Sequence, residues 1–106
     1  MDNSTIIIIQ KYIESLRCKG IPVLFAVIYG SFAKDTNNSM SDLDLIVVSP
    51  TFDNQKKLED IGLLWKTAAR IDSRIEPIAC GEKEWIANNS SVIVEIAHRE
   101  GIQVAA

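Results

Sequence analysis

Proline and glycine are scarce in this chain, three and five residues out of 106, which excludes collagen-like and low-complexity disordered architectures. Histidine occurs once, at His98, so no pair of histidines can hold a metal, and any His-dependent catalysis would have to use that one ring. The two cysteines, Cys18 and Cys80, lie far apart and match no metal-ligand spacing. They are expected to be reduced packing residues, since a buried thiol behaves as a small hydrophobe. Long apolar runs are missing as well. The run Ile6 to Ile9 is too short for a membrane span or a secretory leader, and no basic segment precedes it. A cytoplasmic protein without membrane contact is expected. Basic excess is absent too: 11 Lys and Arg against 14 Asp and Glu give a net charge of −3 and a pI near 5.0. Strong binding to nucleic-acid backbones, which needs clustered Lys and Arg, is disfavoured.

What is present is the composition of an ordinary globular chain, 47% hydrophobic and 24% charged. The length suits a single domain spanning residues 1–106. A helix is expected from about Ser4 to Cys18, with Ile6, Ile9, Ile13 and Leu16 at helical spacing and Gly20 and Pro22 as a stop. Val23 to Tyr29 and Leu43 to Ser49 are continuous apolar runs of strand length, the pattern of strands covered on both faces. Asn54 to Arg70 reads as a helix whose core side is Leu58, Ile61, Trp65 and Ala68 or Ala69. Arg74 to Ala79 is a third strand, placed at an edge or paired on one side because Pro77 cannot donate to a ladder. Helices over Glu82–Asn88 and Ser91–Arg99 and a short strand over Ile102–Val104 complete the order. Strands alternating with helices predict an α/β or α+β fold with helices packed on a mixed sheet.

The chemistry concentrates in two stretches, Tyr29-Gly30-Ser31-Phe32-Ala33-Lys34 and Ser41-Asp42-Leu43-Asp44-Leu45. Residues two apart on a strand share a face, so Asp42 and Asp44 point the same way while Leu43, Leu45 and Val47 bury the other side. Two carboxylates so placed repel unless a cation lies between them, and Mg²⁺ prefers carboxylate oxygens together with phosphates and water. Gly30 permits close backbone approach, and the amides and hydroxyl that follow, with Lys34 one turn on, suit a phosphate. Each feature has a plain reading in isolation: two solvated aspartates and an ordinary strand-ending turn. Neither the P-loop nor the G-x-G-x-x-G pattern is present.

A strand, Gly-Ser, ten intervening residues and Asp-Leu-Asp on a second strand together resemble the signature of the DNA polymerase β-like nucleotidyltransferases, in particular the minimal nucleotidyltransferase (MNT) family of prokaryotes. The resemblance implies the polymerase β-like palm fold. It implies Gly30, Ser31 and Lys34 at the triphosphate of ATP or another nucleoside triphosphate. It also implies two Mg²⁺ ions held by Asp42, Asp44 and a third carboxylate from a neighbouring strand. Glu76 is the choice for that carboxylate, with Asp72 in reserve at the same strand parity. Lys34 stands where many relatives carry arginine, supplying charge without the bidentate fork. The implied reaction is transfer of a nucleoside monophosphate, AMP from ATP, to an acceptor hydroxyl with release of pyrophosphate.

Three roles fit this reading: antitoxin of a toxin–antitoxin pair with a HEPN-type toxin as partner, modifier of a small molecule such as an aminoglycoside, or a binding module without turnover. The small-molecule enzymes of this kind usually carry a further helical domain. Elsewhere, His98 is expected at the surface near a helix C-terminus, and Trp65 and Trp85 in the core. The C-terminal Ile102–Ala106 offers a strand edge through which copies of the chain could associate.

Overall fold

The computed structural model describes residues 3–30, 42–87 and 91–105. Ser31 and Lys34, two of the residues assigned above to the triphosphate, lie outside them. Along the chain run α1 (Asn3–Cys18), β1 (Phe25–Ile28), β2 (Leu43–Val48), a 3-10 turn (Pro50–Phe52), α2 (Leu58–Ile71), β3 (Ile75–Cys80), α3 (Glu82–Ala87), α4 (Val92–Glu100) and β4 (Ile102–Val104). Among the described residues the strands form a four-stranded sheet in the order β3-β2-β1-β4. β1 pairs antiparallel with β2 and β4, and β2 pairs parallel with β3. The sheet is mixed, as expected. The parallel pair requires a crossover, which α2 supplies.

Both faces of the central strands are buried. Ala26, Ile28, Leu43, Leu45, Val47, Ile75 and Ala79 point into one core with Ile9, Tyr12, Ile13 and Leu16 of α1 and Leu64 and Ala68 of α2. Val27, Ile46, Val48 and Cys80 face the other way and meet Trp85 of α3 and Val94 and Ala97 of α4. The Tyr12 hydroxyl, buried between α1 and α2, donates to the Leu64 carbonyl at 2.9 Å. That bond fixes the rotation of α2 about its axis. β1 is shorter than its apolar run suggests. Its ladder nonetheless continues beyond both ends, because the Leu24 amide donates to Val48 at 2.9 Å and the Tyr29 amide to Asp44 at 3.2 Å. β3 lies at a sheet edge, where Pro77 costs no bond to a further strand.

The structure corrects the sequence at three places. α2 begins at Leu58 rather than Asn54, because Ser49 caps the Pro50–Phe52 turn by accepting from the Thr51 amide, and the chain reaches α2 only after Lys57. Its core face is Leu64, Thr67 and Ala68, flanked by Ile61, Leu63 and Ile71. Leu58 is 87% exposed and Trp65 is 48% exposed, so neither is a core residue. Packing on α1 and β3 keeps Ile61 and Ala68 of the expected side and turns Leu58 and Trp65 outward. Cys18 is exposed at the end of α1, whereas Cys80 is buried as expected. Burial pushes the Cys80 thiol up to about 12, the property of an inert thiol. His98, although exposed in the last turn of α4, is more than a surface charge. Its ring stacks on Trp85 at 3.7 Å between centroids, and its Nε2 lies 2.6 Å from the Trp85 carbonyl. Trp85 in turn meets Phe25 edge to face at 5.7 Å.

Candidate active site

The parallel register of β2 and β3 sets Asp44 opposite Glu76. The antiparallel ladder of β1 and β2 continues through the bond from the Tyr29 amide to the Asp44 carbonyl. Strand parity sends all three side chains to the face that also carries Val27, Ile46 and Ile78. Tyr29, Asp44 and Glu76 therefore form a transverse polar row over three adjacent strands, one row beyond apolar Val27, Ile46 and Ile78. Asp42, two residues before Asp44 and exposed, adds a further carboxylate at the same end of the sheet.

The electrostatics follow from this crowding. Burial raises the Asp44 carboxyl above its ordinary value, the Asp42 charge raises it further, and a hydrogen bond from Glu76 partly offsets both. Glu76 is raised by desolvation first, then by Asp42 and Asp44, and then by that same hydrogen bond. Tyr29 is pushed up to about 12, by burial and then by the charges of Asp44 and Glu76. The phenol thus stays protonated and neutral beside two acids. Among the described residues no three acidic, histidine or cysteine side chains close into a ready-made metal cage. The site is instead a close carboxylate pair with a third charge acting on both.

Gly30 completes the row. Its φ of +79° is a left-handed conformation, and a β-carbon there would stand 2.8 Å from the Asp44 Oδ2. Any side chain at this position would be strained and would also collide with the carboxylate. The glycine read from the sequence as a phosphate-approach residue is thus also what lets Asp44 occupy its position. Asp72, the reserve for the third carboxylate, is held elsewhere. Its two oxygens take the Arg74 Nε at 3.1 Å and Nη2 at 2.8 Å, and Oδ1 also accepts the Arg74 amide at 2.9 Å. These bonds hold its carboxyl below the usual range. Sequence parity could not separate Asp72 from Glu76. In the structure Glu76 lies opposite Asp44, whereas Asp72 is taken up by Arg74. Tyr29 is the site residue that the sequence reading passed over as a strand end; its signal was its parity with Asp44 and its place beside Gly30.

Residues 9–96 match the family model of the nucleotidyltransferase domain. No curated protein matches the chain. Among solved structures, a toxin–antitoxin complex with AMP-PNP superimposes with a TM-score of 0.63 at 20% identity, over 92% of this chain and 73% of that one. A Sulfolobus solfataricus protein assigned as a nucleotidyltransferase gives 0.60 at 16% identity, over 92% and 77%. A complex of the tri-AMPylated Shewanella oneidensis HEPN toxin with its MNT antitoxin gives 0.58 at 17% identity, over 95% and 72%. At such identities the likeness is one of fold. The mixed sheet in the order β3-β2-β1-β4 is thus of the fold that these structures share. The chain belongs to the nucleotidyltransferase domain family, in agreement with the resemblance carried by Gly30-Ser31 and Asp42-Leu43-Asp44.

Proposed function

We propose that this chain, as one cytoplasmic nucleotidyltransferase domain, transfers AMP from ATP to a hydroxyl of a HEPN-type toxin and so acts as the antitoxin of the pair. The observation that carries this reading is the row Tyr29–Asp44–Glu76 with Asp42 beside it, built against a glycine that clears space for the carboxylate. Two acids whose affinity for protons is raised by burial and by the Asp42 charge are equally short of a cation. Mg²⁺ is commonly held by one or two carboxylates with substrate phosphates and water rather than by an all-protein cage. The residues present fit that mode. Asp42, Asp44 and Glu76 would hold the ions, and Ser31, Lys34 and the Gly30 backbone would hold the triphosphate.

When bound, the ions would neutralise phosphate charge and favour ionisation of the attacking hydroxyl. The chain's own groups orient and discriminate. Asp44 and Glu76, fixed by backbone pairing on two strands, define where the reacting centre sits. Gly30 keeps the wall beside Asp44 free of side chain. Tyr29 presents a phenol that retains its proton, a hydrogen-bond donor that adds no charge. The acceptor oxygen forms a bond to the α-phosphorus, the bond to the bridging oxygen breaks, and pyrophosphate leaves with that electron pair. The acceptor is proposed to be a protein because one of the similar structures is a complex in which an AMPylated HEPN toxin is bound to an MNT antitoxin.

The test is incubation of the purified chain with α-labelled ATP, Mg²⁺ and the HEPN protein encoded beside it. Label on that protein, lost in Asp44→Asn, is expected. Label on an aminoglycoside instead, or on no acceptor, would overturn the reading.

A further inference from the structure

Among the described residues the outer stripe of α2 has no partner in the fold. Leu58, Gly62, Trp65 and Ala69 recur at steps of four, three and four residues, the spacing of a helix-pairing seam. All four are exposed, Leu58 at 87% and Trp65 at 48%. This stripe is separate from the core face of Leu64, Thr67 and Ala68. We propose that it pairs with the same stripe of a second copy of this chain, the two α2 helices running antiparallel about a two-fold axis.

The argument is one of self-complementarity. In an antiparallel pair centred between Gly62 and Trp65, Trp65 falls opposite the partner's Gly62 and Leu58 opposite the partner's Ala69. Each layer then sets a large side chain against a small one. Gly62 offers room for this, because a β-carbon there would meet nothing within 4 Å. The charges agree. Glu59, Lys66 and Arg70 flank the stripe on one side, all exposed, with the acid in the first turn of the helix and the bases in its second half. A two-fold axis keeps that row on the same side of both helices and reverses its direction. Glu59 of each copy then falls between Lys66 and Arg70 of the other. A parallel two-fold pair would instead carry this row to opposite sides of the seam, where Glu59 meets neither base of its partner. Antiparallel self-association is therefore the arrangement that satisfies shape and charge together. The helix spans about 21 Å, so the contact is small and the dimer reversible.

Sedimentation equilibrium of the full chain over a wide concentration range is the test, with circular dichroism to confirm folding of each variant. A reversible monomer–dimer equilibrium is expected. Gly62→Leu fills the slot without touching the chain's own core, and should weaken the dimer at least tenfold while thermal stability holds or rises. Glu59→Lys and the double change Lys66→Glu with Arg70→Glu should each weaken self-association, and mixing the two variants should restore it as a heterodimer. A chain that stays monomeric throughout overturns the proposal. So does a dimer indifferent to Gly62→Leu, or a Trp65 that becomes protected from quenching only when an acceptor protein is added.

Discussion

On one face of the sheet every strand side chain that meets α1 and α2 is apolar: Ala26, Ile28, Leu43, Leu45, Val47, Ile75 and Ala79. On the other face the apolar rows Phe25–Val48–Cys80 and Val27–Ile46–Ile78 give way to Tyr29, Asp44 and Glu76. The same three strands supply both faces, so the difference comes only from side-chain parity and from how far the covering helices extend. α3 and α4 bring Trp85, Val94 and Ala97 to the apolar rows, and Asp44 and Glu76 lie beyond that cluster, half-buried. The covered face supplies rigidity that the partly covered face uses. A carboxylate pair held partly out of water beside a third acid is unfavourable to assemble, and the strands are held in register by the core on their reverse side.

This contrast can be broken from either face. Asp44→Asn should have the largest effect, reducing nucleotide transfer by roughly 10²-fold or more, with the melting temperature unchanged or raised because a mutual repulsion is relieved. Labelled-ATP transfer and thermal melts on the same sample check both halves. Leu45→Ala, one residue away on the opposite face, should reverse the pattern. It should cost about 2–5 kcal/mol in chemical denaturation, while the remaining folded fraction retains transfer activity per molecule. Gly30→Ala should damage both properties. A left-handed backbone and a β-carbon 2.8 Å from Asp44 predict a loss of more than about 1 kcal/mol together with loss of transfer, measurable by the same two assays. His98→Ala removes the stack on Trp85 and the contact with its carbonyl. It should cost about 1 kcal/mol by denaturation without changing transfer chemistry.

The smallest effect is in the pH dependence. Asp44 and Glu76 titrate in the folded protein above their ordinary 3.8 and 4.5, so the native state holds protons that the unfolded chain has released. Their contribution to stability is greatest at the acid end and is lost as pH rises from the ordinary values through the raised ones. Asp72, lowered by Arg74, acts in the opposite sense, stabilising above 3.8 and losing that contribution as pH falls. Melts in chelator-treated buffer should show the downward slope with rising pH in the wild type and a shallower one in Asp44→Asn. Equal slopes would mean that folding does not raise the Asp44 carboxyl.

Much of this contrast was legible before any coordinates. Uninterrupted apolar runs marked the doubly covered strands, and Asp42-Leu43-Asp44 marked the point at which one face turns polar. Local spacing could not decide the rotation of α2. Leu58, Trp65 and Ala69 make nearly as good a stripe as Ile61, Leu64 and Ala68, and only contacts with Tyr12 and the sheet distinguish them. Nor could parity choose between Asp72 and Glu76. That choice rests on a parallel register and on the bidentate hold of Arg74, which are relations between residues that no one-dimensional pattern records.

The position of β4 bears on how the chain is made. β1 sits inside the sheet only because Ile102–Val104, far along the sequence, closes its second edge. During synthesis Ala26 to Ile28 therefore carry an open ladder until Ile102–Val104 have left the ribosome. Any pause before β4 emerges leaves an apolar strand available to the wrong neighbour. For this molecule β4 works as a latch, and its docking on β1 is the moment at which aggregation ceases to compete with folding.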